Sequence, residues 1–211
     1  FTIHSSLFTI ISVWAFLFLV GMPVSVVRAA TMLTVYALLS LGRRDRMSVN
    51  TLAFTAIVRL MVSPLSLFDI GFQMSFMAVL SILLWMPLLD NCHHWLWGIM
   101  AVSCAAQMGT APLIAYYFGR FSCYFLLTNL IVIPAAMLIL WLMPVVLLFP
   151  SLAYLLLYIV SWLNRLLGFL ATLPGASISG LHPSVVQVVA VYVVIGAAYL
   201  LAVRLRATAS R

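Results

Sequence analysis

The stretch YFLLTNLIVIPAAMLILWLMPVVLLF, from Tyr124 to Phe149, decides the fold class of this chain. It contains no charged residue and is longer than the roughly 20 apolar residues that a helix needs to cross a bilayer. In lipid every backbone hydrogen bond must be made inside the protein, and an α-helix makes them within one segment. We therefore predict an all-α integral membrane protein.

Similar apolar runs fill the rest of the sequence. Of the 211 residues, 66% are hydrophobic and 6% are charged, whereas a soluble domain carries about 25% charged residues. We count about eight apolar segments: Leu7 to Val20, Val24 to Leu41, Thr51 to Val62, Ile70 to Met86, Trp95 to Phe118, Tyr124 to Phe149, Leu152 to Leu173 and Ser184 to Val203. The prediction is a polytopic transmembrane helix bundle that covers residues 1–211 as one domain. We interpret the chain, which starts at Phe1, as an internal piece of a longer protein.

The arginines indicate an orientation in the membrane. They cluster after the second segment and after the last: Arg43, Arg44 and Arg46, then Arg204, Arg206 and Arg211. Arginine-rich loops face the cytoplasm. An even number of segments separates the two clusters, so both fall on the same side and the orientation is self-consistent.

Four charged residues are then predicted to gather near the opposite, outer side: Arg28, Arg59, Asp69 and Arg120. A charge near the bilayer centre costs about 2.5–3.5 kcal/mol, so such residues must pair, reach the interface or face a polar cavity. Two alternatives stay open for Arg59, an ion pair with Asp69 or a direct substrate contact. Asp69 also suits a helix cap, because Ser66 stands three residues before it.

Amide side chains and helix breakers suggest a polar interior. Among the amides inside apolar segments, we expect these to hydrogen-bond between helices or line a path: Gln73, Gln107 and Asn129. Five residues are expected to break helices: Pro64, Gly71, Gly109, Pro112 and Pro134. Broken helices at membrane depth occur where they are buried or line a wet cavity. The prediction therefore includes broken or re-entrant helices.

The residues give no reason to expect catalysis. Cys92, His93 and His94 follow Asp90, but adjacent histidines point apart and no second ligand cluster exists. A wet loop is the simpler interpretation than a metal site. With no nucleophile–base–acid set and no phosphate loop, we predict neither an enzyme nor a bound cofactor or metal.

Two motifs resemble the ComEC family of competence proteins. PVSVVRAATM, from Pro23 to Met32, is similar to that family's PSVVRAAIM stretch, and SLFDIGFQMSF, from Ser66 to Phe76, is similar to its LFDVGFQLSF segment. The elements from Gln107 to Pro112 and from Asn129 to Pro134 follow in the family's order. The resemblance implies a bacterial inner-membrane channel that passes single-stranded DNA into the cytoplasm during natural transformation. It also implies OB-like and nuclease-like domains that lie outside this chain.

On this hypothesis the outer arginines attract phosphate, Asp69 orders them, and Gln73, Gln107 and Asn129 line or brace the path. The expected partners are single-stranded DNA, membrane lipid, a DNA-receptor protein, a cytoplasmic ATP-driven helicase-like protein and further copies of the chain. A rival hypothesis is a permease for small molecules or lipid-linked anions. A structural scaffold without a pathway is the third.

Overall fold

The computed structural model describes residues 3–41, 49–89 and 95–209. Eight α-helices occur among these residues: α1 (Ile3–Leu19), α2 (Val24–Leu41), α3 (Val49–Val62), α4 (Ile70–Leu89), α5 (Trp95–Phe118), α6 (Phe125–Leu148), α7 (Ala153–Thr172) and α8 (Val185–Ala209). Short 3-10 turns precede α4 and α7, at Pro64–Phe68 and Pro150–Leu152. The all-α prediction is confirmed. The loop that holds Arg43, Arg44 and Arg46, the stretch from Asp90 to His94, and Arg211 lie outside the described residues.

Five of these helices are long and apolar enough to cross a membrane: Ile70–Leu89, Trp95–Phe118, Phe125–Leu148, Pro150–Thr172 and Val185–Thr208. The apolar stretches described in α1, α2 and α3 are shorter. The chain is thus a helical protein with several membrane-spanning candidates. That about eight segments cross the bilayer remains a prediction.

Four of the five predicted helix breaks are wrong. Gly71 lies in the first turn of α4, α5 runs on through Gly109 and Pro112, and α6 runs on through Pro134. Pro64 alone interrupts the helices, because it begins the 3-10 turn between α3 and α4.

A contact from the neighbouring helix α8 lies beside the proline of α5. A proline in a helix removes one backbone N–H donor, so the carbonyl four residues earlier, Met108 for Pro112, lacks its usual intrahelical bond. The hydroxyl of Tyr192 donates a hydrogen bond to the Gly109 carbonyl at 2.7 Å, within the turn that precedes Pro112. Neighbouring helices help a membrane helix to tolerate proline.

The first compact unit of the chain, Phe1–Leu84, is built on α1, α2 and α3. Here α1 packs against α2, and α2 packs against α3. Leu17 of α1 is completely buried and Ala30 of α2 is 1% exposed; a small residue lets two helices approach closely. The indole Nε1 of Trp14 donates to Thr34 Oγ1 at 3.0 Å, which ties α1 to α2.

The second compact unit, Trp85–Arg211, contains the long helices from α5 onward. In it α6 packs against both α5 and α7, and α5 also packs against α8. The guanidinium of Arg206, near the end of α8, donates to the carbonyls of Pro87 and Leu88 in the last turn of α4. A helix end leaves such carbonyls without intrahelical partners, and an arginine is a suitable donor for them.

The second unit also contains a pair of short strands, which the sequence did not predict. β1 (Arg120–Ser122) pairs antiparallel with β2 (Ser177–Ser179). The chain leaves α5 through Gly119, whose φ of +64° favours glycine, and a Cβ there would lie 3.2 Å from the Leu181 carbonyl oxygen. Residues 174–183 fall between two of the predicted apolar segments, and a three-residue strand is too short to show an alternating pattern in the sequence.

Candidate functional site

A charged pair stands at the beginning of α4 in the first unit. Nη1 of Arg28, on α2, lies 3.0 Å from Oδ2 of Asp69. The Arg28 side chain is 11% exposed and the Asp69 side chain is 40% exposed. An ion pair in such a half-buried place is weakened less by solvent than an exposed one, and its geometry is better defined.

The Asp69 carboxylate also caps the helix that follows it. Its Oδ1 accepts the backbone N–H of Gly71 at 3.1 Å, and its carbonyl accepts the N–H of Gln73 at 3.1 Å. Both bonds are those of an N-cap residue, which satisfies donors that the first helical turn leaves free. Asp69 therefore caps α4 itself, whereas Ser66 accepts the Asp69 N–H through its backbone carbonyl.

Gly71 provides the space that the Arg28 guanidinium occupies. A Cβ at this position would lie 2.6 Å from Nη1 of Arg28 and 2.9 Å from Nη2. No real Cβ contact is that short, so a larger residue would require the end of the Arg28 side chain to shift. Gly71, predicted as a helix break, lies where the Arg28 guanidinium of α2 reaches α4.

Gln73 braces the same region through a local contact. Its Nε2 donates to the Leu67 carbonyl at 2.9 Å, and Leu67 belongs to the 3-10 turn before α4. This bond holds the 3-10 turn against the first turns of α4, and the expected interhelical role of Gln73 stays a prediction. We name the set Arg28, Asp69, Gly71 and Gln73 the α4 entry cluster.

Arg59 lies on the packed side of α3. It stands four residues after Thr55 and seven after Leu52, the buried residues of that helix, so the three share one face. Its Nε is buried and, like Nε of Arg28, has no hydrogen-bond partner among the described residues. Of the ion pairs between described residues, the one that includes Asp69 is made with Arg28, so the alternative of an Arg59–Asp69 pair is not realised.

The other predicted site residues belong to the second unit. Arg120 is exposed at the first position of β1, while Gln107 on α5 and Asn129 on α6 are half-buried. The structure thus joins Arg28 with Asp69, and the gathering of all three arginines at one mouth stays a prediction.

Two contacts of the second unit escaped the sequence analysis. Tyr192 reaches Gly109 across 83 positions of the chain, and no periodic pattern marks its hydroxyl as the donor. Arg206 was interpreted only as part of a basic tail, although it binds carbonyls of α4. The sequence does indicate that the last carbonyls of a helix need a hydrogen-bond donor. It does not indicate which helix supplies that donor.

Two comparisons with known proteins agree with the family resemblance of the sequence motifs. The family model described as "Competence protein" matches residues 2–205. ComE operon protein 3 of Bacillus subtilis (strain 168) is 30% identical over 180 residues, which is 80% of this chain and 23% of that protein. The chain therefore spans less than a quarter of the length of this curated relative. No solved structure matches the chain significantly.

Proposed function

Because the chain belongs to the competence protein family, we propose that it forms membrane-spanning helices of a channel that passes single-stranded DNA into the cytoplasm during natural transformation. A DNA strand carries a charge at every phosphate and cannot cross hydrocarbon alone. A path for it needs polar, positively biased walls that contact the backbone rather than the bases. An apolar helical protein with a net charge of +7 and arginines inside it has the composition that such a path requires.

The Arg28–Asp69 pair is the observation that carries the proposal. Replacement of a buried ion pair by apolar residues of similar size is often neutral or stabilising, so the pair is weak evidence for a purely structural role. The pair instead holds a mostly buried guanidinium inside an apolar helical protein. Arginine binds phosphate through several N–H groups, so this residue type at this place is consistent with a path for an anionic strand.

The roles within the proposal follow from exposure and pairing. Arg28 and Asp69 hold the start of α4 in place, while Arg59 keeps a buried free donor on α3. Arg120 is exposed on β1 and is the best placed of the three arginines to capture phosphate from solution. Gln107 and Asn129 supply uncharged hydrogen-bonding groups, which release a strand more readily than charges do.

The cellular setting is part of the same proposal. The channel would lie in the bacterial inner membrane, in contact with lipid, as one copy or several. A DNA-receptor protein would deliver the strand, and a cytoplasmic ATP-driven helicase-like protein would supply the pulling force. Catalysis is not assigned to these helices.

The proposal is tested by deleting the gene in a naturally transformable host and restoring it as the full-length protein. Two quantities are measured side by side: labelled DNA that has become resistant to external nuclease, and uptake of labelled inorganic phosphate. We expect deletion to abolish DNA entry and leave phosphate uptake unchanged, with complementation restoring entry. Normal DNA entry in the deletion strain would overturn the proposal, and loss of phosphate uptake alone would favour the permease hypothesis.

A further inference from the structure

A cavity of about 250 Å³ lies in the second unit, between the start of α6, the end of α7 and the ribbon that β1 and β2 form. Its volume exceeds the roughly 30 Å³ of one water molecule but falls short of the roughly 300–1,000 Å³ of a pocket for a drug-sized ligand. It therefore suits one small polar group with a short attachment. Hydroxyl groups line one part of it, and apolar side chains of α7 line another: Ser122, Tyr124, Thr128 and Ser177, then Leu167 and Leu170.

Three of these hydroxyls have no hydrogen-bond partner among the described residues: Ser122, Thr128 and Ser177. Thr128 is the informative one, because four other helical threonines donate to the carbonyl four residues earlier: Thr31, Thr34, Thr55 and Thr110. Thr128 makes no such bond, and its side chain borders the cavity. Tyr124 is different, since its hydroxyl donates to the Pro174 carbonyl at 3.2 Å and so holds the segment before β2 against the start of α6. The cavity thus has three free hydroxyl donors.

The ribbon extends the cavity along one of its two faces. Its register sets three residue pairs side by side: Arg120 with Ser179, Phe121 with Ile178, and Ser122 with Ser177. Directly opposed residues of an antiparallel pair point to the same face, and residues two apart along a strand share a face. The face that meets the cavity at Ser122 and Ser177 therefore also carries Arg120 and Ser179, about 7 Å farther along the ribbon. We call it the polar ribbon face.

The charge of the polar ribbon face is unbalanced. Arg120 is exposed and makes neither an ion pair nor a hydrogen bond with any described residue. From Trp95 to Ala209, the range that contains the cavity and the ribbon, the sequence has no acidic residue. The residues that form the site thus supply one cation and several neutral donors, and no carboxylate. This donor set suits phosphate oxygens, which arginine and hydroxyl side chains bind.

We propose that the polar ribbon face and the cavity together bind the sugar–phosphate backbone of the strand in transit, an inference that rests on the proposed function and deepens the role of Arg120. Arg120 and Ser179 bind one phosphate, and the three free hydroxyls of the cavity donate to the next. The sugar between the two phosphates lies against the apolar wall that α7 provides. Contacts of this kind position a strand without reading its bases, so strands of any sequence bind.

A phospholipid headgroup offers the same chemical group, but the geometry favours the strand. Most such headgroups carry a single phosphodiester, which would occupy either Arg120 or the cavity. The site provides two binding points in a row, and a strand has a phosphate at every nucleotide. Charge at the first point and neutral donors at the second also let the strand move on, because neutral groups hold it less tightly.

Site-specific cross-linking identifies the occupant of the polar ribbon face. A photoreactive azidophenylalanine replaces Ser179 on that face, and in a matched variant it replaces Ile178, which is half-exposed on the opposite face. Each full-length protein is placed in lipid vesicles and illuminated with a labelled single-stranded oligonucleotide. We expect the DNA label from position 179 and not from position 178. Cross-links from position 179 to phospholipid alone, or equal DNA labelling from both positions, would overturn the inference.

Substitutions separate the two binding points. With the probe at position 179 and the oligonucleotide below saturation, Thr128→Val should lower the DNA cross-link about tenfold, the effect of one hydrogen bond to a charged group. Thr208→Val is the matched control and should change nothing, because that hydroxyl bonds to carbonyls of its own helix. Arg120→Gln should weaken the cross-link and lower its log–log dependence on salt by about 0.7, as loss of one phosphate contact to a single strand does. Either an unchanged cross-link in Thr128→Val or an unchanged salt dependence in Arg120→Gln would overturn the inference.

Uptake in cells distinguishes this inference from the proposed function. In a host where gene deletion blocks DNA uptake, the double variant Arg120→Gln with Thr128→Val should internalise at least about tenfold less nuclease-resistant DNA at an equal membrane level. Wild-type uptake by the double variant would overturn this inference and leave the proposed function standing. Normal uptake in the deletion strain itself would instead remove the proposed function.

Discussion

Arg28 and Asp69 meet at 3.0 Å although 41 positions separate them in the chain, and the same carboxylate caps α4 through the Gly71 N–H. Asparagine caps helices as well as aspartate does but carries no charge. Asp69→Asn should therefore lose the ion pair and keep the cap, at a cost of about 1–3 kcal/mol. Asp69→Ala should lose both and cost about 1 kcal/mol more. Thermal unfolding of the full-length protein in detergent measures the difference, and equal stability of the two variants would contradict the capping role.

Gly71 should tolerate a methyl group less well than Gly196 does, because the Arg28 guanidinium lies beside Gly71 and no atom of the described residues lies beside Gly196. Alanine is the better helix former by about 0.8–1.0 kcal/mol, and Gly196 on α8 has open space around its Cα, so Gly196→Ala should be neutral or stabilising. Gly71→Ala places a Cβ 2.6 Å from Arg28 Nη1 and should be less stable than Gly196→Ala by up to about 1 kcal/mol, the worth of a partly exposed ion pair. Identical unfolding temperatures would show that Arg28 does not need the space.

Tyr192 should contribute to stability through its hydroxyl. Tyr192→Phe removes the bond to the Gly109 carbonyl, at an expected cost of about 0.6–1.7 kcal/mol. Tyr199→Phe is the control, because the Tyr199 ring packs edge-on against Trp85 at 5.8 Å and its hydroxyl has no hydrogen bond to a described residue. Unfolding in detergent should separate the two variants. A larger loss from Tyr199→Phe would contradict the assignment.

A comparison of Arg206 and Arg204 variants can separate the effect of a basic tail on membrane orientation from the effect of a packing contact on stability. Both lie at the end of α8 and contribute alike to a basic tail, but Arg206 alone of the two is seen to bind the carbonyls of Pro87 and Leu88. Arg206→Ala should lower stability by about 1–2 kcal/mol, since the bonds involve a charged donor, and Arg204→Ala by much less. Protease accessibility of the tail, an orientation control, should be the same in both. Equal stability losses would mean that the contact to α4 is dispensable.

The helices were the predictable part of the fold. Residue hydropathy sets their limits directly: the fifth segment, Trp95 to Phe118, was predicted with the bounds that α5 has. Breaks were predicted poorly, because the local preferences of Pro112 and Gly109 were considered without the surrounding helices, among them α8, whose Tyr192 hydroxyl reaches the Gly109 carbonyl. In a membrane, neighbouring helices help a helix to tolerate proline.

The sequence singles out the charged residues of the candidate site, but it does not show which arginine pairs with Asp69. The motif around Asp69 and the isolated charge of Arg28 both stand out in an apolar sequence. Which arginine meets Asp69 depends on how α2 and α3 are rotated about their axes, and on the space left at Gly71. Neither quantity is visible in hydropathy.

Entry of DNA into cells that carry Arg28→Ala tests the central claim most directly. The variant is expressed as the full-length protein beside wild type and Arg204→Ala, with equal amounts confirmed in the membrane, and nuclease-resistant labelled DNA is counted per cell. Loss of the buried charge should lower entry about tenfold or more, the effect of roughly 1.4 kcal/mol or more at the site, while Arg204→Ala transforms as wild type does. Wild-type entry by Arg28→Ala at an equal membrane level would contradict the account.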